Sequence, residues 1–165
     1  MSVTDDLYID STSNPNDGDD RVSATGQDGA IGSGQQFDGS DDYVDMGDVL
    51  DYGKLDPVTY SAWVKTSDTG VQNIASKAKH NGDFQGVWFD LEASGALGFY
   101  LYDSAGNSIN KRSTETFADN QWHHVAATYD GSDSVDGITL YGDSSVLGIA
   151  SSFDDNLAVC RRSPL

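Results

Sequence analysis

The chain has 165 residues and a mass of 17.6 kDa, which fits one domain with a core of its own. Acidic residues outnumber basic ones by 27 to 9, so the net charge is −18 and the pI is about 4.1. This charge argues against nucleic acid and anionic membrane surfaces as partners, because both are bound through basic patches.

The acidic residues are almost all aspartates: only two of the 27 are glutamates, so 25 are Asp, and the chain also contains 18 Gly. Aspartate and glycine disfavour helix interiors and favour turns and calcium loops. The composition therefore predicts short strands joined by polar turns, and it excludes helical bundles and coiled coils.

The two ends of the chain differ from its middle. Residues 1–30 form an acidic, loop-rich N-terminal segment that is unlike a signal peptide. Residues 157–165 form an atypical tail without acidic residues, which predicts either a disordered end or a shifted reading frame that replaced the natural last strands. Cys160 is the only cysteine, so an internal disulfide is excluded, and no stretch approaches the ~20 apolar residues of a membrane span.

Strand signals recur between these ends at intervals of roughly ten residues, which is typical of a β-sandwich. Gly, Asn and Asp form turn signals between them, and no helical periodicity or internal repeat is present. We therefore predict an all-β domain over residues 31–156. Its predicted strands are 34–37, 43–46, 58–65, 72–79, 85–92, 96–103, 107–113, 123–129 and 137–141.

Two consecutive predicted strands alternate regularly enough to assign their faces. Every second residue over 87–91 and 97–101 is large and apolar, which predicts a buried face. The opposite faces, brought to one side by the intervening turn, carry Trp88, Asp90, Glu92, Tyr100 and Tyr102.

This cluster predicts a glycan-binding site. Aromatic rings stack on the apolar faces of sugar rings, and carboxylates accept hydrogen bonds from sugar hydroxyls. The alternative is that Trp88, Tyr100 and Tyr102 pack against another layer of the fold, and burial of all three would remove the site.

Several spaced segments resemble the laminin-G-like, concanavalin A-like jelly rolls of bacterial and archaeal secreted proteins. In the order found in that family, they are FDGSDDYV at 37–44, TYSAWVK at 59–65, IASK at 74–77, DNQWHHVAATYDG at 119–131 and ITLY at 138–141. The resemblance implies an antiparallel two-sheet jelly-roll sandwich. The family's further strands are not recognisable between Tyr141 and Leu165, so we expect the sandwich to be incomplete at its C-terminus.

Asp38, Asp41 and Asp42 surround Gly39 and form a candidate calcium site, because Ca²⁺ takes six to eight oxygen ligands. The resemblance implies a structural calcium near this loop, with Asp38 or Asp42 as ligands. The alternative is a solvated acidic loop, which is common in a chain so rich in aspartate. His123 and His124 are neighbours in a predicted strand and point to opposite faces, so we expect a structural role for them and no zinc site.

We therefore expect a non-catalytic carbohydrate-binding or adhesion module, part of a larger secreted or cell-surface protein, whose partner is a glycan, a polysaccharide or a surface protein. A calcium-stabilised spacer domain without a glycan ligand is the alternative. A glycoside hydrolase is a third reading, because Asp90 and Glu92 lie on one strand face as paired catalytic carboxylates do. The jelly-roll glucanases that this chain resembles carry Glu, Asp and Glu at alternate positions of one strand. Trp88 stands in place of the first of these glutamates, so we predict no enzymatic activity.

Overall fold

The computed structural model describes residues 7–14, 16–22, 24–50, 52–80, 84–103 and 106–155. These ranges contain fourteen strands and one 3₁₀ turn, Val135–Gly137, but no α-helix. Every strand pairing is antiparallel. The prediction of an all-β antiparallel fold is therefore confirmed. In the described ranges no helix has the length and apolar character needed to cross a membrane.

The chain divides into two compact units, Met1–Asp51 and Tyr52–Leu165. In the N-terminal unit, a three-stranded sheet has the order β1 (Leu7–Tyr8), β2 (Gly18–Asp20) and β5 (Val44–Asp45). A separate hairpin joins β3 (Ala24–Asp28) to β4 (Ser33–Gln36). The boundaries that we predict at 30/31 and 156/157 stay predictions, and the tail 157–165 lies outside the described residues.

The C-terminal unit contains nine strands. They are β6 (Val58–Val64), β7 (Gln72–His80), β8 (Phe84–Leu91), β9 (Ala96–Tyr102), β10 (Ser108–Thr116), β11 (His123–Tyr129), β12 (Ile138–Gly142), β13 (Ser145–Val146) and β14 (Ile149–Asp154). One sheet has the order β14-β10-β9-β8-β7, and the other has the order β13-β12-β11-β6. These two sheets form the sandwich.

The core of this unit consists of the inward faces of both sheets. The five-stranded sheet contributes Phe89, Phe99 and Ile109, and the four-stranded sheet contributes Val125 and Leu140, all at most 1% exposed. The rings of Phe89 and Phe99 meet edge to face with centroids 6.2 Å apart. Burying each such side chain contributes roughly 1.5–3 kcal/mol, so the alternation of apolar residues decides which face turns inward.

The predicted buried face of β8 and β9 is confirmed. Val87 and Leu91 on β8, and Leu97 and Leu101 on β9, are all at most 8% exposed and belong to the core. The side chains between them therefore point to the outer face of the five-stranded sheet, because successive residues of a strand alternate in direction.

Two strands follow Tyr141, in the segment where the family's further strands are not recognisable from the sequence. β13 pairs with β12, and β14 pairs with β10 from Ile109↔Asp154 to Ser113↔Ile149. All six residues of β14 are exposed. An edge strand held mainly by backbone hydrogen bonds needs no apolar alternation, and for that reason its sequence gave no strand signal.

Candidate functional site

The structure brings the five residues of the predicted cluster to the outer face of the five-stranded sheet. Trp88 lies opposite Tyr100, and Asp90 lies opposite Gly98. Directly paired residues share a face, and residues two apart along a strand share it as well. Glu92, just beyond the end of β8, and Tyr102, which lies opposite Gly86, complete the cluster.

The aromatic part of the cluster has two accessible rings and one buried ring. Trp88 and Tyr102 meet edge to face with centroids 5.1 Å apart, and both are half-buried. Tyr100 lies nearly parallel to Tyr102, with centroids 6.3 Å apart, but is only 6% exposed. Tyr100 is therefore a buried support rather than an open platform for stacking. Burial of all three rings would have removed the site, and only one of them is buried.

Arg112, which our sequence analysis did not single out, connects the aromatic and acidic parts of the cluster. It belongs to β10 and lies opposite Gly98 of β9. Its Nε donates to the Tyr100 hydroxyl at 2.8 Å and lies 2.9 Å from Oε1 of Glu92. Its Cζ is 5.5 Å from the centroid of the Tyr100 ring. Strand parity places Arg112 on the same face of β10 as Asn110, but only the pairing of β10 with β9 brings it beside Tyr100.

Gly98 lies on the same face of β9 as Tyr100 and Tyr102, and its role in the cluster becomes visible only in the structure. A Cβ atom at this position would clash with Oδ1 of Asp90 and would lie 2.7 Å from the Tyr100 ring. Its missing side chain therefore leaves room for both groups to lie close over the backbone of β9. A glycine inside a predicted strand is a signal for this kind of close approach.

Asp90 has an unusual electrostatic environment. Its Oδ1 is buried and finds no hydrogen-bond partner within the ranges that the structure describes. Burial, together with the nearby charge of Glu92, raises the pKa of Asp90 to about 7, and Arg112 opposes this effect. A carboxyl group with this pKa exists in both protonation states near neutral pH, so it can either donate or accept a hydrogen bond.

The second candidate site lies in the N-terminal unit. Asp38, Asp41 and Asp42 each offer a carboxylate oxygen, and these oxygens all lie within 4.8 Å of one another. Gly39 turns the chain here with φ +76°, and the Asp38 amide donates to Oδ2 of Asp42 at 2.9 Å. Oxygens bound to one Ca²⁺ at 2.3–2.6 Å can be up to about 5 Å apart. The three aspartates therefore fit a metal ion as three of its ligands, with carbonyl groups or water completing the shell.

The two histidines point to opposite faces of β11, as predicted. His123 lies between two carboxylates, with Nδ1 2.7 Å from Asp143 and Nε2 2.9 Å from Asp119. The hydrogen bond to Asp143, reinforced by Asp119, raises the pKa of His123. His124 instead packs against the Trp63 ring on the other face, with centroids 5.4 Å apart. His123 therefore ties together the two loops that carry its carboxylate partners.

The two-sheet sandwich, with aromatic and carboxylate groups clustered on the outer face of one sheet, defines a domain of the lectin and glucanase type. The chain belongs to the concanavalin A-like lectin/glucanases superfamily, because the laminin-G profile of that superfamily matches residues 38–159, more than half of the chain. Comparisons with curated proteins and with solved structures gave no match. The resemblance to laminin-G-like domains is thereby confirmed, and the superfamily is compatible with carbohydrate binding but also includes glycosidases.

Proposed function

We propose that this domain is a non-catalytic carbohydrate-binding or adhesion module of a secreted or cell-surface protein. The observation that supports the proposal best is the combination on one sheet face of two accessible rings, Trp88 and Tyr102, with the half-buried carboxyl group of Asp90. Small-molecule sites typically combine apolar surface with a few polar groups that fix the orientation of the ligand.

A sugar ring fits this arrangement in a specific way. Its apolar face stacks on Trp88 or Tyr102, while a hydroxyl group binds the half-buried carboxyl group of Asp90. Arg112 holds Glu92 and Tyr100 in place before the ligand arrives.

The acidic cluster of Asp38, Asp41 and Asp42 has a supporting role in this proposal, as a structural calcium site of the N-terminal unit. The close approach of their carboxylate oxygens, all within 4.8 Å, supports this assignment. Calcium would neutralise the mutual repulsion of the three carboxylates and stabilise the loop around Gly39. The same ion in a domain that binds no glycan would give the alternative function, a calcium-stabilised spacer.

Glycoside hydrolysis is a second candidate, favoured by the pKa of Asp90, which at about 7 suits a general acid. A retaining enzyme also needs a free carboxylate as nucleophile. Glu92, the nearest candidate, is instead tied in an ion pair with Arg112. For this reason we favour binding without catalysis.

A glycan and polysaccharide array, probed in millimolar calcium and again in EDTA, tests the proposal. We expect the wild-type protein to bind a defined sugar class, and Trp88→Ala to abolish this binding. Trp63→Ala is the matched control, because Trp63 is an exposed tryptophan on the outer face of the other sheet, and this variant should bind normally.

Three outcomes would contradict parts of the proposal. No binding by the folded protein in either buffer would favour the spacer function. Equal loss of binding in Trp88→Ala and Trp63→Ala would contradict the location of the site. Release of reducing sugars from a bound polysaccharide, abolished by Asp90→Asn, would establish the hydrolase instead.

A further inference from the structure

A row of side chains crosses the outer face of the five-stranded sheet at right angles to its strands. The pairs Ser76↔Trp88, Trp88↔Tyr100, Tyr100↔Asn110 and Asn110↔Phe153 join five neighbouring strands. Directly paired residues share a face, so Phe153 lies on the same face as Trp88. Phe153 belongs to β14, which our sequence analysis did not predict.

Phe153 has no evident role in the core of the sandwich. It is 52% exposed, and every residue of β14 is exposed. Neighbouring strands lie 4.7–4.9 Å apart, so the three steps from Trp88 to Phe153 span about 14 Å. Two accessible aromatic side chains thus stand at the ends of a strip that is longer than a single sugar ring.

The middle of the strip is polar. Asn110 lies between Tyr100 and Phe153, and Arg112 lies opposite Ser151. An amide offers both donors and an acceptor, and the guanidinium group offers further donors. Along the strip, an aromatic ring is followed by polar groups and then by a second aromatic ring. This order matches an extended polyhydroxylated ligand, which has apolar faces and hydroxyl groups along its whole length.

The charge of the strip favours a neutral ligand. Its charged side chains are Asp90, Glu92 and Arg112, and the ion pair between Glu92 and Arg112 cancels two of these charges. The chain as a whole is strongly acidic, with a net charge of −18. This negative charge would repel a polymer that carries carboxylate or sulfate groups, but it would not repel a neutral glycan.

We propose that an extended, neutral oligosaccharide lies across β8, β9, β10 and β14, with Trp88 at one end and Phe153 as the distal stacking platform. This inference rests on the proposed function of the outer face as a glycan site. It adds the direction of the bound chain, its neutral character, a minimum length of several sugar rings and a binding residue outside the first cluster.

Titration calorimetry with cello-, xylo-, laminari- and chito-oligosaccharides, from disaccharide to hexasaccharide, tests this inference. We expect the affinity of the wild-type protein to rise with length within at least one series. Phe153→Ala should weaken hexasaccharide binding roughly fivefold to tenfold and leave disaccharide binding unchanged. Phe153→Trp should preserve hexasaccharide binding, and Phe153→Leu, which keeps the apolar side chain but not the ring, should behave like Phe153→Ala.

The outcomes separate this inference from the proposed function. If the folded wild-type protein binds none of these oligosaccharides and no neutral glycan on the array, the proposed function fails, and the inference fails with it. If it binds at Trp88 but length and Phe153→Ala have no effect, only the inference is overturned. If Phe153→Ala instead abolishes self-association in sedimentation experiments, Phe153 serves contact between copies of the chain and the inference is wrong.

Discussion

Replacing Asp90 by asparagine isolates the electrostatic cost of the candidate site. The ordinary pKa of an aspartate carboxyl group is 3.8, whereas in the folded protein burial and the charge of Glu92 raise the pKa of Asp90 to about 7. Between these values the unfolded chain has lost its proton while the folded chain keeps it, so rising pH favours unfolding. The Asp90 contribution to stability is therefore fully present below about pH 4 and lost by about pH 7.

The interval between the two pKa values corresponds to about 4 kcal/mol at 1.36 kcal/mol per pH unit. Asp90 is only partly buried, and solvent screening reduces this figure to about 2 kcal/mol. Asparagine does not ionise. The Asp90→Asn variant should therefore match the wild-type protein at about pH 4 and be more stable by about 2 kcal/mol at about pH 8. For a domain of this size, that difference corresponds to a rise in Tm of roughly 4–8 °C.

Urea unfolding of both proteins, followed by circular dichroism across this pH range at fixed ionic strength, provides the assay. The difference between the two proteins matters rather than either curve alone, because the charge of −18 makes the whole chain sensitive to pH. Asp136→Asn is the matched control, since this aspartate is exposed and lies in the 3₁₀ turn. Parallel pH curves for wild type and Asp90→Asn would refute the reasoning.

Three further predictions concern the surroundings of the site and the loops. The pKa of His123 is raised in the folded protein, so its contribution to stability is present at low pH and is lost as the pH rises through that pKa. The Tm of His123→Gln should therefore lie below that of the wild-type protein at low pH, and this difference should shrink towards alkaline pH. A difference that stays constant with pH would contradict this prediction. Gly98→Ala should lower the free energy of unfolding by about 1–3 kcal/mol, measured in urea, and should weaken glycan binding. Gly70→Ala is the control and should do neither, because a Cβ atom at Gly70 would lie 3.3 Å from the nearest side-chain atom, an oxygen of Asp68. Calcium should raise the Tm of the wild-type protein, and EDTA should reverse this rise. Calcium should raise the Tm of Asp38→Asn by a smaller amount, and an equal rise in this variant would place the ion elsewhere.

The regular alternation of β8 and β9 allowed much of the candidate site to be predicted. Apolar residues at every second position force one face into the core, so the opposite face and its members follow from the sequence. Asp38, Asp41 and Asp42 could be grouped for a similar reason, because they lie within five residues around one turn. Predictions of this kind depend on residues that are close along the chain.

The sequence by itself determined the all-β class, the inward faces of β8 and β9, and the shared face of Trp88, Asp90, Glu92, Tyr100 and Tyr102. Only the tertiary structure decided that Tyr100 is buried, that Arg112 holds Glu92, and that Phe153 on β14 lies in the same row as Trp88. Hydrophobic alternation is a local property that a strand carries wherever it pairs. The order and register of strands far apart in sequence depend on which of their faces are buried together and on the turns between them, so the pattern of a single strand does not show that β14 pairs with β10 beside β9.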